Sequence, residues 1–333
     1  MGLRSRARFS DMQLPPNLRQ ALAQATAQVP LAALSDAAQD LSQRYRAQTS
    51  SSASIFPSDV HRLAYATVRM PATFAAVRAV LAEMARLMTA QQIESVLDLG
   101  AGPGTAAWAA CDVFPALQEI TLLERDHGLI TLGKRLAQEA AESRLSNANW
   151  HKADLRTQTA FPTADLVLCS YALGELSGDA ARQVWQLAWQ AARHTLVIVE
   201  PGTMKGFALL RTVRQALIAA GGYLCAPCPH TAECPLSAEE WCHFAARVER
   251  TALHRRLKAG ALGHEDEKFS YLVFSKQPLA QAKNRVLRHP QRRPNFVQLQ
   301  LCTEHGLETL SVTHKDKEIW KRARKIDWGA AWE

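Results

Sequence analysis

Two groups of residues in this chain have the types and spacing to do chemistry. The first is Asp98 with Gly100, Gly102 and Gly104, in the run Val96-Leu97-Asp98-Leu99-Gly100-Ala101-Gly102-Pro103-Gly104-Thr105. Apolar residues lead into three alternating glycines, and the Ala-rich stretch from Ala106 to Cys111 follows, so the run reads as strand, tight turn and helix start. Glycines let a ligand lie against bare backbone, and a helix start offers free N–H groups to electron-rich atoms. The second group is a set of thiols. Of seven cysteines, Cys225, Cys228, Cys234 and Cys242 fall within 18 residues, in a Pro-rich segment unsuited to regular structure. Cys302, on a strand-like run far downstream, could close a four-sulfur site. Thiols gathered this way in a reducing compartment read as metal ligands rather than disulfides. All-thiolate ligation suits zinc or an iron–sulfur cluster. Only Cys225 and Cys228 form a short-spaced pair, which argues against a common zinc finger, and spacing alone leaves cluster and zinc open.

The glycine spacing sharpens the first group. G-x-G-x-G with an acid two residues ahead differs from the dinucleotide fingerprint G-x-G-x-x-G, and no Lys-Ser/Thr pair follows as a phosphate loop requires. The pattern resembles motif I of class I methyltransferases that use S-adenosylmethionine, in which the acid faces the methionine ammonium. A dinucleotide site and a purely structural turn are the competing readings.

These residues need a sheet edge to hold them. From Glu94 strands and helices alternate, which predicts an α/β fold with a parallel sheet covered on both faces. The strands read as Ser95–Leu99, Glu119–Leu123, Asn147–Lys152, Leu166–Ser170 and Thr195–Val199. Ligands bind outside the C-terminal ends of such strands. Glu124 then stands where a ribose diol would bind, and Asp154 where an adenine amino group would. Each acid alone is an ordinary loop residue; their spacing behind Asp98 makes them a set. The run Ser170–Leu176 occupies the chemistry-bearing position, with Ser170 beside the cofactor and Tyr171 and Glu175 as weak catalytic candidates. No Asn/Asp-Pro-Pro-aromatic run is present, and Cys169 lacks the preceding Pro pattern of a nucleophile, so it reads as a core thiol. Glu200-Pro201-Gly202-Thr203 is a further turn at the same edge.

Ahead of this core, Leu14 to Gln48 has helical periodicity split by Pro30, and Thr49–Ser54 is a polar loop. Asp59 is a candidate N-cap for a helix that Met70-Pro71-Ala72-Thr73 should interrupt before a second helix runs to about Thr89. Arg4, Arg6 and Arg8 with Ser5 and Ser10 read as a solvated tail rather than a transit peptide, and Gly2 lacks a myristoylation context. No apolar run reaches the roughly 18 residues of a membrane span.

The net charge of +8 is concentrated: residues 243–333 hold 18 Lys/Arg against 10 Asp/Glu, while the remainder balances. Such a surplus points to a polyanion, RNA first, against a face kept basic for solubility. Arg285, Arg288, His289, Arg292 and Arg293 form one basic arm, and Lys315, Lys317, Lys321, Arg322, Arg324 and Lys325 another. Phe296, Trp320, Trp328 and Trp332 are interleaved with them. Phe296–Cys302 and Leu310–Thr313 read as a hairpin turning at His305-Gly306.

Several stretches together resemble the methyltransferase-like mitochondrial small-ribosomal-subunit protein and assembly-factor family, which has bacterial members. They are Tyr65–Thr73, Val96–Thr105, Ser170–Leu176, Val199–Thr203, Ala226–His230, His254-Arg255, Glu265–Tyr271 and Ala323–Gly329. The resemblance covers roughly residues 60 to 330. It implies a class I methyltransferase sheet, S-adenosylmethionine as cofactor, and a [4Fe–4S] cluster held by Cys228, Cys234, Cys242 and Cys302, with Cys225 left over. It also implies action on the small ribosomal subunit and its rRNA, with neither a membrane nor DNA as partner. Methyl transfer to rRNA and a non-catalytic assembly role are both open. The compartment is the cytoplasm, or the mitochondrial matrix in a eukaryote. Four units are expected: a helical module (1–92), the methyltransferase-like core (93–222), a cysteine-rich loop with the last core elements (223–279) and a basic, strand-containing module (280–333).

Overall fold

The structure is a computed structural model that describes residues 12–47, 55–88, 92–257 and 262–333. The arginine-bearing segment Arg4–Ser10 and the loop Thr49–Ser54 lie outside the described residues. Helices α1 (Pro16–Ala27) and α2 (Leu31–Ala47) part at Pro30 as expected. Helix α3 (Asp59–Leu87) departs from expectation, because it runs without a break through Pro71. Its N-cap is Ser58, with Asp59 the first helical residue. An interior proline costs about 3 kcal/mol. Burying Met70 and Phe74, both at most 1% exposed, contributes about 1.5–3 kcal/mol each and outweighs that penalty. Tertiary burial on both sides of Pro71 therefore decides the helix.

The core alternates as predicted: β1 (Ser95–Leu99), α4 (Thr105–Val113), β2 (Glu119–Glu124), α5 (His127–Glu139), α6 (Ser143–Ser146), β3 (Asn149–Lys152), β4 (Ala164–Ser170), α7 (Gly178–Ala191), β5 (Ala192–Pro201) and α8 (Met204–Ala219). Then come β6 (Tyr223–Ala226), β7 (Phe244–Glu249), α9 (Ala252–Leu257) and β8 (His264–Ser275). The strand order is β3-β2-β1-β4-β5-β8-β6, with β7 paired to the start of β8. The first five run parallel, and β8 lies antiparallel between β5 and β6. This is the Rossmann-like α/β sheet expected of a class I methyltransferase. Val96, Leu97 and Leu99 are at most 1% exposed, as a strand covered on both faces requires. One face packs against α3, α4 and α5, and the other against α7 and α8.

The basic C-terminal part forms a second sheet from β9 (Asn284–Val286), β10 (Gln291–Arg292), β11 (Phe296–Thr303), β12 (Gly306–Thr313) and, after α10 (Lys317–Ala323), β13 (Ala331–Trp332). The expected hairpin is β11–β12, in register from Phe296↔Thr313 to Thr303↔Gly306. Its small core holds Val286, Val297, Leu299, Leu301, Val312 and Trp332.

Arg285, expected on the RNA-facing arm, is instead 2% exposed. Its Nε donates to the Pro227 carbonyl and its Nη1 to the Gly329 carbonyl, both at 2.9 Å, and its Nη2 pairs with Glu83 Oε1 at 2.9 Å. One guanidinium thus joins α3, the cysteine-rich loop, β9 and the chain end. Removing one member of a buried pair strands the other, typically at a cost of about 3–5 kcal/mol. Glu83→Ala is expected to lose that much in denaturant unfolding, and a loss below about 1 kcal/mol would show the pair to be dispensable.

Candidate functional site

The glycine turn sits at the C-terminal edge of β1. Gly100, Gly102 and Gly104 have φ of +72°, +56° and +84°, values that side-chain-bearing residues rarely adopt. At Gly100 space is short as well, since a Cβ there would stand 2.7 Å from the Ala172 Cβ. The turn is tied to β2 through Gly100 N–H, which donates to the Leu123 carbonyl at 2.9 Å. Glu124, the last residue of β2, accepts from Gly102 N–H at 2.9 Å and Asp126 N–H at 2.8 Å. Burial raises its carboxyl despite those bonds.

Asp98 is 0% exposed, and among the described residues neither carboxylate oxygen has a partner at good hydrogen-bond geometry, the backbone N–H of Ala107 being a weak neighbouring donor. Burial pushes it up to about 7. An ionised carboxylate left alone in a dry interior is costly, so this position favours an incoming cation or donor. Asp154 lies past β3, accepts from Arg156 N–H at 3.0 Å, and is held below the usual carboxylate range by the Arg156 guanidinium. Ser170 closes β4 at the same edge, half-buried.

The catalytic candidates separate. Tyr171, at φ +56°, donates its hydroxyl to Glu267 Oε1 at 3.0 Å. Glu267 also pairs with Arg69 of α3 at 3.1 Å, so the hydroxyl is already engaged. Glu175 is exposed at the end of the turn Leu173–Glu175. Cys169 is 1% exposed within the core, and burial drives its thiol well above its ordinary value. Composition and spacing put Glu200 in a turn at this edge but gave it no role in the site. It ends β5 with 1% exposure, accepts from Leu173 N–H at 3.0 Å on one oxygen and leaves the other unpartnered. Burial pushes it up to about 8. Its place at a strand end was the available signal. Arg62 of α3 reaches Asp126 at 2.6 Å, so α3 borders the same edge.

The second site lies between the two sheets. Cys228, Cys234, Cys242 and Cys302 line one cavity of about 40 Å³, together with Arg211, Arg214, His230, Tyr271 and Arg285. Burial raises the Cys228, Cys242 and Cys302 thiols, Cys302 to about 12, and neighbouring thiols add to each shift. Cys302 Sγ is 3.5 Å from His230 Nε2. Cys225 is outside the cavity wall, its thiol against the Tyr223 carbonyl at 3.2 Å. Among the described residues, no group of three or more His, Cys, Asp or Glu side chains is placed to hold a metal ion; the four thiols instead share a cavity wall.

On the basic module, Arg292, Arg293, Lys315, Lys317, Lys321, Arg322, Arg324 and Lys325 are exposed. Arg292 also caps the Arg324 carbonyl at 3.1 Å. The tryptophans pack inward: Trp332 is 6% exposed under Arg322, and Trp328 lies between His243 and His289 at ring separations of 4.8 Å.

Residues 59–333 match the protein family described as mitochondrial small ribosomal subunit Rsm22. The human mitochondrial ribosome assembly protein METTL17 is 26% identical over 288 residues, which are 80% of this chain and 61% of that protein. The fission-yeast (Schizosaccharomyces pombe) Rsm22-cox11 tandem protein 2, also mitochondrial, is 24% identical across 82% of this chain and 43% of its own length. The chain thus spans about half the length of these curated relatives. Among solved structures, magnesium protoporphyrin IX methyltransferase from Synechocystis with bound SAH aligns at 12% identity and a TM-score of 0.42, over 71% of this chain and 93% of that one. Precorrin-6y C5,15-methyltransferase from Geobacter metallireducens aligns at 16% identity and a TM-score of 0.38, over 60% and 87%.

The buried acids set a pH dependence. Asp98 has a folded value near 7 against an ordinary 3.8. A carboxyl raised by folding favours the folded chain at low pH and loses that contribution as pH rises through the folded value. The ligand-free chain is therefore expected to lose stability from pH 4 to 8, and Asp98→Asn to exceed the parent by about 1–4 kcal/mol at pH 8 while matching it at pH 4. Urea unfolding at the two pH values checks this; parallel curves for both proteins would refute it.

Proposed function

The chain belongs to the mitochondrial small ribosomal subunit Rsm22 family, and on that premise we propose that it binds S-adenosylmethionine at the Asp98–Gly104 turn and methylates rRNA of the small ribosomal subunit. The observation that carries this reading is the buried, unpartnered Asp98 carboxylate behind three positive-φ glycines. The methionine ammonium supplies the cation this carboxylate lacks. A dinucleotide would bring pyrophosphate to the same end of the pocket and set like charges together, which disfavours it. Gly100 and Gly104 give the close backbone approach, and Glu124 accepts from the ribose hydroxyls with the lone pairs its two N–H bonds leave free. Asp154 keeps acceptor capacity for the adenine amino group, and Ser170 faces the methionine end.

A second reading, a non-catalytic assembly factor on the same fold, draws support from the engaged Tyr171 hydroxyl and the core position of Cys169. Neither residue offers a nucleophile or base to a substrate, so the reacting group would have to come from the rRNA itself.

By donor chemistry, four thiols on one cavity wall suit a [4Fe–4S] cluster, with zinc as the alternative, although among the described residues no three of them are gathered about a single ion position. Cys228 and Cys234 follow β6, Cys242 precedes β7, and Cys302 lies on β11. Bound there, a cluster supplies iron–thiolate bonds that cross-link the methyltransferase sheet to the basic module. The eight exposed cations of that module then face rRNA phosphates. The compartment follows the ribosome, the bacterial cytoplasm or the mitochondrial matrix. No helix among the described residues is long and apolar enough to cross a membrane.

Methyl transfer from labelled S-adenosylmethionine to purified small subunits tests the enzyme. Gly102→Asp forces a side chain onto φ +56° and sets a carboxylate beside Glu124, so labelling should fall at least about tenfold. Equal labelling by both proteins would remove the enzyme reading, and cofactor binding without transfer would favour assembly. For the metal, iron on analysis with a brown absorption near roughly 400 nm is expected. A colourless zinc protein would replace the cluster.

A further inference from the structure

Three guanidiniums line the thiol cavity, and they differ in their counter-charges. Arg285 has Glu83 at 2.9 Å. Arg211 has Glu233 at 4.0 Å. Arg214, one turn along α8 from Arg211, is 3% exposed, and no carboxylate pairs with it among the described residues. Its Nη2 donates to the carbonyls of His230 and Ala232, both at 2.8 Å, while its Nε is buried without a partner. What the cation does face is sulfur: Arg214 lines the same small cavity as Cys228, Cys234, Cys242 and Cys302.

A guanidinium cannot shed its proton, so its charge stays when it is taken out of water. Carbonyl dipoles solvate that charge in part, but they do not neutralise it. Neutral thiols do not neutralise it either. A set of four thiolates around an iron–sulfur core does, because such a centre is negative overall. We propose that Arg214 is the counter-cation of the centre held by Cys228, Cys234, Cys242 and Cys302, a positioning residue whose charge is matched only when that centre is loaded. The inference rests on the four-cysteine reading. It assigns Arg214 two roles: it holds the loop that carries Cys228 and His230 through two carbonyl bonds, and it favours the more negative, reduced state of the centre electrostatically.

The test uses the full chain, reconstituted anaerobically with ferrous iron and sulfide. Arg214→Gln keeps a donor for the loop carbonyls and removes the charge. Arg214→Lys keeps the charge and gives up the forked geometry. Iron per chain, loss of absorption to a chelator, and the midpoint of a reductive titration followed by electron paramagnetic resonance are measured for each. Arg214→Gln is expected to lose iron about tenfold faster and to show a midpoint lower by about 59 mV, the equivalent of a tenfold change for a one-electron couple. Arg214→Lys should keep the parent's midpoint. Parent-like midpoint and chelator resistance in Arg214→Gln would overturn the role. Should Arg214→Gln not fold, Arg214→Lys decides: a parent midpoint supports the counter-cation, and a midpoint lowered although the charge is kept refutes it. A parent chain that takes up no iron would overturn the four-cysteine reading itself, which separates that failure from a failure of Arg214 alone.

Discussion

The structure depends on one buried ion pair. Glu83 of α3 and Arg285 of β9 are separated by some two hundred residues of chain, yet their charged groups meet at 2.9 Å with almost no solvent exposure. A pair of this kind is weak evidence for stability, since desolvating both charges offsets much of their attraction. Its value is in geometry. The other Arg285 nitrogens are spent on the carbonyls of Pro227 and Gly329, so the helix, the cysteine-rich loop and the C-terminal segment can meet in only one arrangement. The thiol cavity exists because that arrangement brings Cys302 of the second sheet to the loop beside the first.

Both candidate sites are built around buried ionisable groups that the described residues leave without full hydrogen-bond partners. At the C-terminal edge of the first sheet these are Asp98 and one oxygen of Glu200. In the cavity between the sheets it is the Arg214 guanidinium. Folded chains satisfy the great majority of their buried polar atoms, so exceptions mark places where something other than the protein completes the network. The signs differ, and with them the chemistry each site attracts: a cationic group at the carboxylates, an anionic one at the guanidinium.

Much of the fold was legible in the residue pattern. Alternating apolar runs from Ser95 to Pro201 placed the parallel strands to within a few residues, because strands covered on both faces must be apolar throughout. That the glycine turn, Glu124 and Asp154 stand together at the C-terminal edge of the sheet was legible for a related reason: each follows directly from where its strand ends. Pro71 misled, since a local rule about missing N–H groups takes no account of the burial on either side. Arg285 misled in the opposite sense. Its neighbours in sequence are exposed cations, and only the distant Glu83 reveals that this one faces inward. Arg69 and Glu267 carry no local signature, because they pair across separate elements that meet only once the sheet is assembled.

The continuity of α3 has a mechanical consequence. A helix of 29 residues is a stiff rod about 43 Å long. Near one end it is pinned to the interior by Glu83, and towards the other Arg62 pairs with Asp126 just past β2 and Arg69 with Glu267 of β8. About 36 Å separates the pin from the far tip, so a tilt of some 5° about it sweeps that tip through roughly 3 Å. A hinge at Pro71 would have absorbed such a tilt. Without one, displacement at the junction of the two sheets is transmitted as leverage to the sheet edge that carries the glycine turn.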